Sequence, residues 1–278
     1  MIAIASGKGG TGKTTLAVNM AQSSCTHTVL LDCDVEAPNV HLFLNPEISV
    51  KERVSVLKPA FIHDKCTGCG KCREACRFNA IVLLTGKPML FPELCHSCGG
   101  CARRCPVNVI EEVQCQVGTF EAAGNGDLTF ARGMLDIGEL RSSPLIERVK
   151  KEAEGRELVL IDAPPGTSCP MVESVRDSDY TVLVTEPTPF GLHDLKLAVD
   201  TVRKMKIPFG VVINKADLGD ESVKTFCLEE KIPVLGKIPF DRRVAVLYSR
   251  GDVASSILPE YRVLFSSILE RVLCEINK

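Results

Sequence analysis

A glycine-rich loop near the start of the chain constrains its fold more than any other feature. Residues 7–14 follow the pattern G-x-x-x-x-G-K-[ST], between an apolar run at Ile2–Ala5 and a helix-like run from Lys13 to Ser24. In such a strand–loop–helix unit, backbone N–H groups close around phosphate oxygens, and the helix N-terminus adds partial positive charge. The loop therefore predicts a nucleotide-phosphate site on an α/β fold.

Apolar runs and helical patterns continue to alternate along the chain. The strand-like runs are Val29–Leu31, which ends at Asp32, then Leu158–Ile161, Thr181–Val184 and Gly210–Ile213; the helical patterns include Pro144–Glu154, with Ser143 as its N-cap, and Leu192–Met205. Continuous apolar strands that alternate with helices are typical of a sheet covered on both faces. We therefore predict a doubly wound α/β fold with a mainly parallel sheet.

A cysteine-rich window interrupts this alternation. Eight of the 14 cysteines lie between Cys66 and Cys105, in two C-x2-C-x2-C-x3-C runs related by an offset of 29 residues. Such paired runs resemble bacterial two-cluster ferredoxins, in which the fourth cysteine of each run binds the other cluster. Two [4Fe–4S] clusters are therefore predicted, one held by Cys66, Cys69, Cys72 and Cys105 and the other by Cys95, Cys98, Cys101 and Cys76.

Zinc is the alternative that C-x2-C pairs leave open. The two matched quartets and Pro106, directly after the last cysteine, favour clusters. Arg77 stands at the corresponding position of the first run, and a cation beside Cys76 would stabilise the reduced state of its cluster.

The window defines the predicted domain organisation. We place an inserted ferredoxin-like domain at residues 60–113, within a discontinuous larger domain of residues 1–59 and 114–278. A hairpin between Val113–Val117 and Leu128–Arg132, through a turn at Asn125-Gly126, would follow the insert.

The glycine-rich loop carries a second lysine, Lys8, and this resembles the deviant Walker A motif of the MinD/ParA/Mrp-type ATPases. The resemblance implies a dimer that forms on ATP, either a homodimer or a heterodimer with a related ATPase, in which Lys8 reaches the partner's nucleotide. The residues that the resemblance assigns to the phosphates are Gly7, Lys8, Gly9, Gly10, Thr11, Gly12, Lys13, Thr14 and Thr15.

Acidic residues at two strand ends extend the resemblance. The segment from Val29 through Asp32 and Asp34 resembles switch I of that family, and Leu158–Gly166 resembles Walker B followed by switch II. The implied catalytic residues are Lys8, Lys13 and Asp34, with Asp34 orienting the attacking water. Magnesium would lie near Thr14, Asp32 and Asp162, and the Gly166 N–H would sense the γ-phosphate.

The tetrapeptide Asn214-Lys215-Ala216-Asp217 follows a strand and is predicted to bind the base. In GTPases this pattern selects guanine, whereas in MinD-like proteins the asparagine contacts adenine. Because Lys8 is typical of the second group, we predict ATP and retain GTP as the alternative.

The other six cysteines carry weaker signals. Cys169 lies seven residues after Asp162, an offset at which the nitrogenase iron protein has a cluster ligand, so a ligand and a small buried residue are both open. Cys115 comes too early to supply a second such ligand. Core positions are expected for Cys25, Cys33, Cys227 and Cys274.

Charge and hydropathy exclude other classes. The net charge of −2 gives no basic field for nucleic acid, and no apolar run approaches the roughly 20 residues that span a membrane. We expect the amphipathic C-terminal run from Val263 to pack on the sheet. The segment after Met1 lacks an export-signal pattern, so a cytoplasmic protein is expected.

These expectations combine into a Mg-dependent ATPase whose nucleotide state controls electron transfer through two [4Fe–4S] clusters to or from a redox partner. Two alternatives stay open: a carrier that assembles metal clusters on other proteins, as Mrp-like relatives do, and a positioning ATPase with a redox-sensing module.

Overall fold

The computed structural model describes residues 1–278, apart from the side chain of Asn125. The described residues form the strands β1 (Ile2–Ala5), β2 (Thr28–Asp32), β3 (Val50–Phe61), β4 (Ile81–Leu84), β5 (Lys87–Leu90), β6 (Ile110–Asn125), β7 (Leu128–Leu135), β8 (Leu158–Asp162), β9 (Tyr180–Thr185), β10 (Phe209–Asn214) and β11 (Val234–Ile238). The α-helices are α1 (Lys13–Ser23), α2 (His41–Leu44), α3 (Lys71–Ala75), α4 (Gly100–Arg104), α5 (Ser143–Lys150), α6 (Cys169–Val175), α7 (Pro189–Met205), α8 (Ser222–Glu229), α9 (Arg242–Arg250), α10 (Ala254–Ile257) and α11 (Pro259–Ile276). Short 3₁₀ helices lie at His63–Lys65, Pro92–Leu94 and Lys151–Ala153.

Nine strands form one sheet in the order β11-β10-β9-β1-β8-β2-β7-β6-β3. The pairs from β11 to β7 are parallel, and β6 and β3 add an antiparallel edge. The predicted mainly parallel α/β fold is confirmed, and so are the predicted strands in it. Parallel strands direct their carboxyl ends to one edge, which brings residues that are distant in sequence to a common site.

Alternating side chains of the central strands fill a core on each face of the sheet. In β1, Ala3 and Ala5 pack on one face with helices α5 to α8, and Ile2 and Ile4 pack on the other with α1 and α11. This follows from the two-residue period of a strand. Helix α11 buries an apolar stripe that includes Phe265, so the expected packing of the C-terminal run is confirmed.

Two expectations about local structure are corrected. Ser143 is the first residue of α5, not its N-cap; Ser142 precedes it, already in helical conformation, and Pro144 is tolerated in the first turn. The hairpin before β7 is formed by residues 118–125 of β6, whereas 113–116 pair with β3 only and Val117 lies at a register shift. The predicted turn at Asn125-Gly126 is wrong by one residue: Asn125 ends β6 and pairs with Leu128, so Gly126 and Asp127 form the turn.

Strands β3 and β6 form a long ribbon, which begins in the sheet where Val50 pairs with Ala122 and continues past the end of β7 to Phe61 paired with Ile110. The ribbon continues through both predicted domain boundaries. Residues 62–109, at its end, hold the β4–β5 hairpin, helices α3 and α4 and two of the 3₁₀ helices. The cysteine-rich segment is therefore anchored on the edge of the large sheet by two continuous strands.

Candidate nucleotide and cluster sites

The glycine-rich loop lies between β1 and α1, at the carboxyl edge of the parallel sheet. Gly10 and Gly12 have positive φ angles of 78° and 98°, which glycine adopts without strain. A Cβ on Gly7 would overlap the Asp194 carbonyl oxygen. Backbone conformation therefore favours glycine at positions 10 and 12, and close approach of the Asp194 backbone requires it at position 7.

A cleft of about 1260 Å³ of empty space opens in front of this loop. It contains predicted residues from three separate segments, namely Gly9, Gly10, Gly12, Lys13, Thr14, Thr15, Asp34, Asn214 and Lys215. The apolar part of its wall includes Pro239, Phe240, Val244 and Tyr248, which the sequence analysis missed. They directly follow β11 or lie on α9, a segment with three arginines whose sequence carries no signal for a nucleotide site.

Lys13, Thr14 and Asp162 form the centre of the phosphate end. The Thr14 hydroxyl donates to Asp162 Oδ2 at 2.6 Å, while the buried Oδ1 has no hydrogen-bond partner among the described residues. Burial raises the pKa of Asp162 to about 7, opposed by Thr14 and Lys13. A hydroxyl beside an unpaired carboxylate oxygen fits Mg²⁺, which prefers oxygen ligands.

Burial also lowers the pKa of Lys13, and the nearby Asp162 and Asp34 carboxylates oppose this. Asp34 is partly buried, and burial raises its pKa although Lys13 acts in the other direction. The cleft thus brings together the cation predicted for the phosphates and the carboxylate predicted for the attacking water.

Asp32 has a different environment from the one expected beside magnesium. Its carboxylate is fully buried and accepts backbone N–H groups of Asp34, Asn39 and Val40 at 2.9–3.2 Å. Burial and the neighbouring Asp162 raise its pKa well above the usual range, against these hydrogen bonds. In this structure Asp32 fixes the shape of the loop that carries Asp34.

Lys8 is held inside its own chain. Its Nζ lies 3.8 Å from Glu186 Oε2, and Lys215 Nζ lies 2.7 Å from Glu186 Oε1. Glu186 directly follows β9, so it is a further acidic residue at the carboxyl edge of the sheet, besides Asp32, Asp34 and Asp162. Glu186 was not among the predicted site residues, although it follows a predicted strand as Asp162 does.

Other predicted nucleotide ligands form internal contacts. The Gly166 N–H donates to the Ser6 carbonyl at 3.0 Å, and Asn214 Nδ2 donates to the Thr11 carbonyl at 2.8 Å. Asp217 lies outside the cleft wall and accepts from the Phe240 N–H at 2.6 Å. Asp217 therefore shapes the loop at the apolar end of the cleft.

The 29-residue repeat of the insert is present in its backbone as well as its sequence. The 3₁₀ helices His63–Lys65 and Pro92–Leu94 differ in number by 29, as do α3 and α4. The Ile62 N–H donates to the Val109 carbonyl at 2.9 Å, and the equivalent Phe91 N–H donates to Ala80 at 2.7 Å. The two halves therefore fold alike and pair with one another.

Each half contributes to two small cavities, and each cavity collects one predicted quartet. The first is lined by Cys66, Cys69, Cys72 and Cys105; the second is lined by Cys76, Cys95, Cys98 and Cys101. We call these the first and second cysteine sites. Phe78 and His96 stack with ring centroids 3.7 Å apart in the wall of the second.

Among the described residues, no group of three or more His, Cys, Asp or Glu side chains is arranged to hold a single metal ion. A [4Fe–4S] cluster makes a different demand, because each thiolate binds its own iron at one corner of a cube. Four free cysteines around a cavity lined otherwise mainly by apolar groups fit that demand.

Four cysteines outside the insert were expected in the core. Cys33 and Cys227 are buried as expected, but the expectation is wrong for Cys25 and Cys274, which are exposed. Cys25 follows the end of α1, and Cys274 lies on the outer side of α11. Cys169 is also exposed, at the first residue of α6, so it is not the buried residue that was one of its two interpretations.

None of the helices in the described part of the chain is long and apolar enough to cross a membrane.

Comparison with known proteins adds three kinds of relative. Residues 2–254 match the model of the CobQ/CobB/MinD/ParA nucleotide binding domain. The uncharacterized protein MJ0578 of Methanocaldococcus jannaschii is 32% identical over 277 residues, which cover 95% of each chain. The iron-sulfur cluster carrier protein of Pyrococcus horikoshii is 26% identical over 265 residues, covering 86% of this chain and 74% of the carrier.

Two solved structures share the fold. The cell division ATPase MinD of Pyrococcus furiosus superposes with a TM-score of 0.61 at 19% identity, covering 98% of this chain and 97% of the other. The septum site-determining protein MinD of P. horikoshii, complexed with Mg-ADP, gives 0.59 at 19% identity, covering 100% and 98%. At this identity the likeness establishes the fold alone.

Proposed function

The chain belongs to the CobQ/CobB/MinD/ParA nucleotide-binding family, and we propose that it is an ATP-hydrolysing switch that controls electron transfer through two [4Fe–4S] clusters. The observation that carries the proposal is that two cavities each collect one complete cysteine quartet, in a chain whose phosphate loop opens on a large cleft.

The nucleotide half of the proposal assigns tasks to residues that line the cleft or lie at its phosphate end. Lys13 and the loop N–H groups would hold the phosphates, while Thr14 and Asp162 would hold Mg²⁺. Asp34 would orient the attacking water. Its partly buried position near Lys13, and the rigid loop built on Asp32, support this assignment.

Dimer formation is the step that would complete the site. In this proposal Lys8 leaves Glu186 and reaches the nucleotide of a second subunit, either a copy of this chain or a related ATPase. The 3.8 Å separation from Glu186 is a weak ion pair, and Lys215 already neutralises that carboxylate. Release of Lys8 from Glu186 would therefore cost little free energy.

The insert would supply one-electron redox chemistry. The first cysteine site would hold one cluster and the second cysteine site the other, with Cys105 and Cys76 as the ligands that cross between the halves. Both cavities have mainly apolar walls outside the cysteines, while Cys69 and Cys98 lie at their exposed sides. The partner would be a redox protein or metalloprotein.

Anaerobic purification with iron and sulfide analysis, followed by EPR spectroscopy of the reduced protein, tests the proposal. We expect about eight iron and eight sulfide per chain, ATP hydrolysis, and an EPR signal that changes when Mg·ATP is added. The Lys13→Ala variant is the matched control, since it should keep the clusters and lose both the hydrolysis and the change. A protein with zinc in place of iron would contradict the proposal.

A second candidate function is a carrier that delivers clusters to other proteins. The similarity to the iron-sulfur cluster carrier protein of P. horikoshii favours it. Incubation with an iron-free acceptor ferredoxin separates the two. A carrier loses iron to the acceptor and speeds its activation, whereas a switch with eight resident ligands keeps its iron.

A further inference from the structure

The segment between β7 and α5 contacts both the nucleotide side of the sheet and the insert. At its start, the Leu135 N–H donates at 2.9 Å to the carbonyl of Val35, the residue directly after Asp34. Just after it, the Asp136 N–H donates at 3.0 Å to Val117 in the ribbon. This segment, residues 136–142, is called the joint loop below.

The joint loop reaches the second cysteine site through one side chain. Arg141 Nη1 donates to the Cys95 carbonyl at 2.9 Å and to Ser97 Oγ at 2.7 Å. Cys95 is a predicted cluster ligand, and Ser97 lies between it and Cys98. Arg141 therefore holds the segment that carries two of the four ligands of the second site.

A nearly buried ion cluster fixes the direction of this arginine. Arg141 Nε and Nη2 donate to the two Glu139 oxygens, each at 3.0 Å, and Lys58 Nζ of the ribbon donates to Glu139 at 3.2 Å. The side chains of Lys58, Glu139 and Arg141 are only 11%, 9% and 12% exposed. The bidentate pair with Glu139 orients the guanidinium plane of Arg141. Its Nη1 therefore points at the loop from Cys95 to Cys98.

Glu139 stays ionised in this cluster. Burial opposes its charge, yet hydrogen bonds from Arg141 and Lys58 outweigh burial and hold its pKa at about 2. This ion cluster of two cations and one anion contributes one net positive charge beside the second cysteine site, where Glu112 in the wall and Arg103 at the Cys98 carbonyl add one charge of each sign. Such a charge favours the reduced, more negative state of a group bound there.

The chain just before the joint loop, at the end of β7, is densely packed. A Cβ on Gly133 in β7 would lie 2.8 Å from Val35 Cγ1 and 2.6 Å from Leu145 Cγ, so only glycine allows this contact. Since densely packed groups move together, a shift of the Asp34 segment on nucleotide binding cannot be absorbed between Val35 and β7.

The geometry points to Arg141 as the positioning residue that couples the nucleotide site to the second cysteine site, through the path from Asp34 and Val35 to the joint loop and Cys95. This inference rests on the proposed function. It assigns the nucleotide response to one site of the two. Gly68, the equivalent of Ser97 in the first site, has no hydroxyl to receive such a contact.

The test is an EPR-monitored redox titration of the loaded protein, with and without a non-hydrolysable Mg·ATP analogue. In wild type we expect the midpoint potential of the second cluster to shift with nucleotide. Arg141→Gln should lower that cluster's resting potential and lose the shift, with the first cluster unchanged. Arg141→Lys should keep the resting potential of the second cluster, because the positive charge remains. It should still lose most of the nucleotide-dependent shift, because an ammonium group cannot contact Glu139 and the Cys95 segment as the planar guanidinium does.

Arg148→Gln is the matched control, since Arg148 is also paired with glutamates near the ribbon but donates to Glu52 and Glu152. It should respond as wild type does. If Arg141→Gln does not load iron, Ser97→Ala removes one contact and keeps the charge, and it should reduce the shift. A full shift in Arg141→Lys or Arg141→Gln overturns the inference alone, whereas a wild-type protein without any shift overturns the proposed function as well.

Discussion

The two halves of the insert have the same backbone but different surroundings. Both contain a 3₁₀ helix, a short α-helix and an asparagine with positive φ, Asn79 at 54° and Asn108 at 51°. The halves differ in what touches them from outside. The second site is held by Arg141 of the joint loop, which lies outside residues 62–109, while the Cys66–Cys69 loop of the first site turns at Gly68.

The comparison separates the features required to bind a cluster from those required to make the cluster respond to nucleotide. The features shared by both halves are the turns and helices that direct four thiols into a cavity. The feature found in one half is a charged contact with the domain that holds the nucleotide site. Internal repetition thus provides a reference within the same chain, because the first site can serve as the control for the second.

The largest expected effect comes from removal of a crossing ligand. Cys105→Ala should lose the same cluster as Cys69→Ala, and Cys76→Ala the same cluster as Cys98→Ala, because the cavities group them so. Each variant should keep about four iron atoms. Iron analysis with EPR of the remaining cluster measures this.

The EPR spectrum of the cluster that remains in each variant shows which cysteines bind the same cluster. If Cys105→Ala leaves the spectrum that Cys98→Ala leaves, the ligands do not cross and the two sites as defined here are wrong.

The next largest effect comes from Lys13→Ala, which should remove the difference between the two clusters in their response to ATP. Lys13→Ala removes the buried cation of the phosphate loop, so ATP hydrolysis should fall by roughly 10²-fold or more. Without bound nucleotide, neither cluster should respond to ATP. A steady-state ATPase assay and EPR on the same sample measure both. A Lys13→Ala protein whose second cluster still responds would show that the response does not come from this cleft.

Acid should weaken the nucleotide response gradually. Asp162 has a pKa raised to about 7, mainly by burial, so below that pH Mg²⁺ must displace a proton to bind. The apparent affinity for Mg·ATP should therefore fall as pH decreases through 7, by up to roughly tenfold per pH unit. Titration calorimetry at pH 6, 7 and 8 measures this.

Asp162→Asn provides the control, because an amide does not titrate here. Its affinity should be low and nearly independent of pH. A wild-type affinity that stays constant from pH 6 to pH 8 would contradict the assignment of Asp162 to magnesium.

The smallest effect makes the second cysteine loop resemble the first. Ser97 has a positive φ of 52°, where its equivalent Gly68 has 68°. Ser97→Ala loses the hydrogen bond from Arg141, which costs about 1 kcal/mol. Ser97→Gly loses the same bond but relieves about 1 kcal/mol of backbone strain, so its stability should be near wild type. Denaturant unfolding of both variants decides, and a glycine variant less stable than the alanine variant would be contrary to this.

The sequence predicted most of what depends on short segments. The phosphate loop, the central strands and the repeat of the insert have patterns that span a few residues, and their apolar periodicity matches the elements found. The full length of the ribbon formed by β3 and β6 was not predicted. Strand β3 begins Val-Lys-Glu-Arg, a polar stretch with a weak strand signal.

Contacts between distant side chains were beyond the sequence. The pairing of Lys8 with Glu186, and of Arg141 with Cys95 and Ser97, depends on how separate elements meet in the folded chain. The misplaced Cys25 and Cys274 have the same origin, because cysteine is usually buried and only the packing of α1 and α11 decides which positions face outward.

The central claim is that nucleotide state acts on the clusters, and that it acts on the two sites unequally. Parallel redox titrations of the wild-type protein in Mg·ADP and in a non-hydrolysable Mg·ATP analogue test it most directly. The prediction is that the midpoint potential of the cluster lost in Cys98→Ala moves between the two nucleotides, while that of the cluster lost in Cys69→Ala stays in place. Equal movement of both potentials, or no movement of either, would contradict the account.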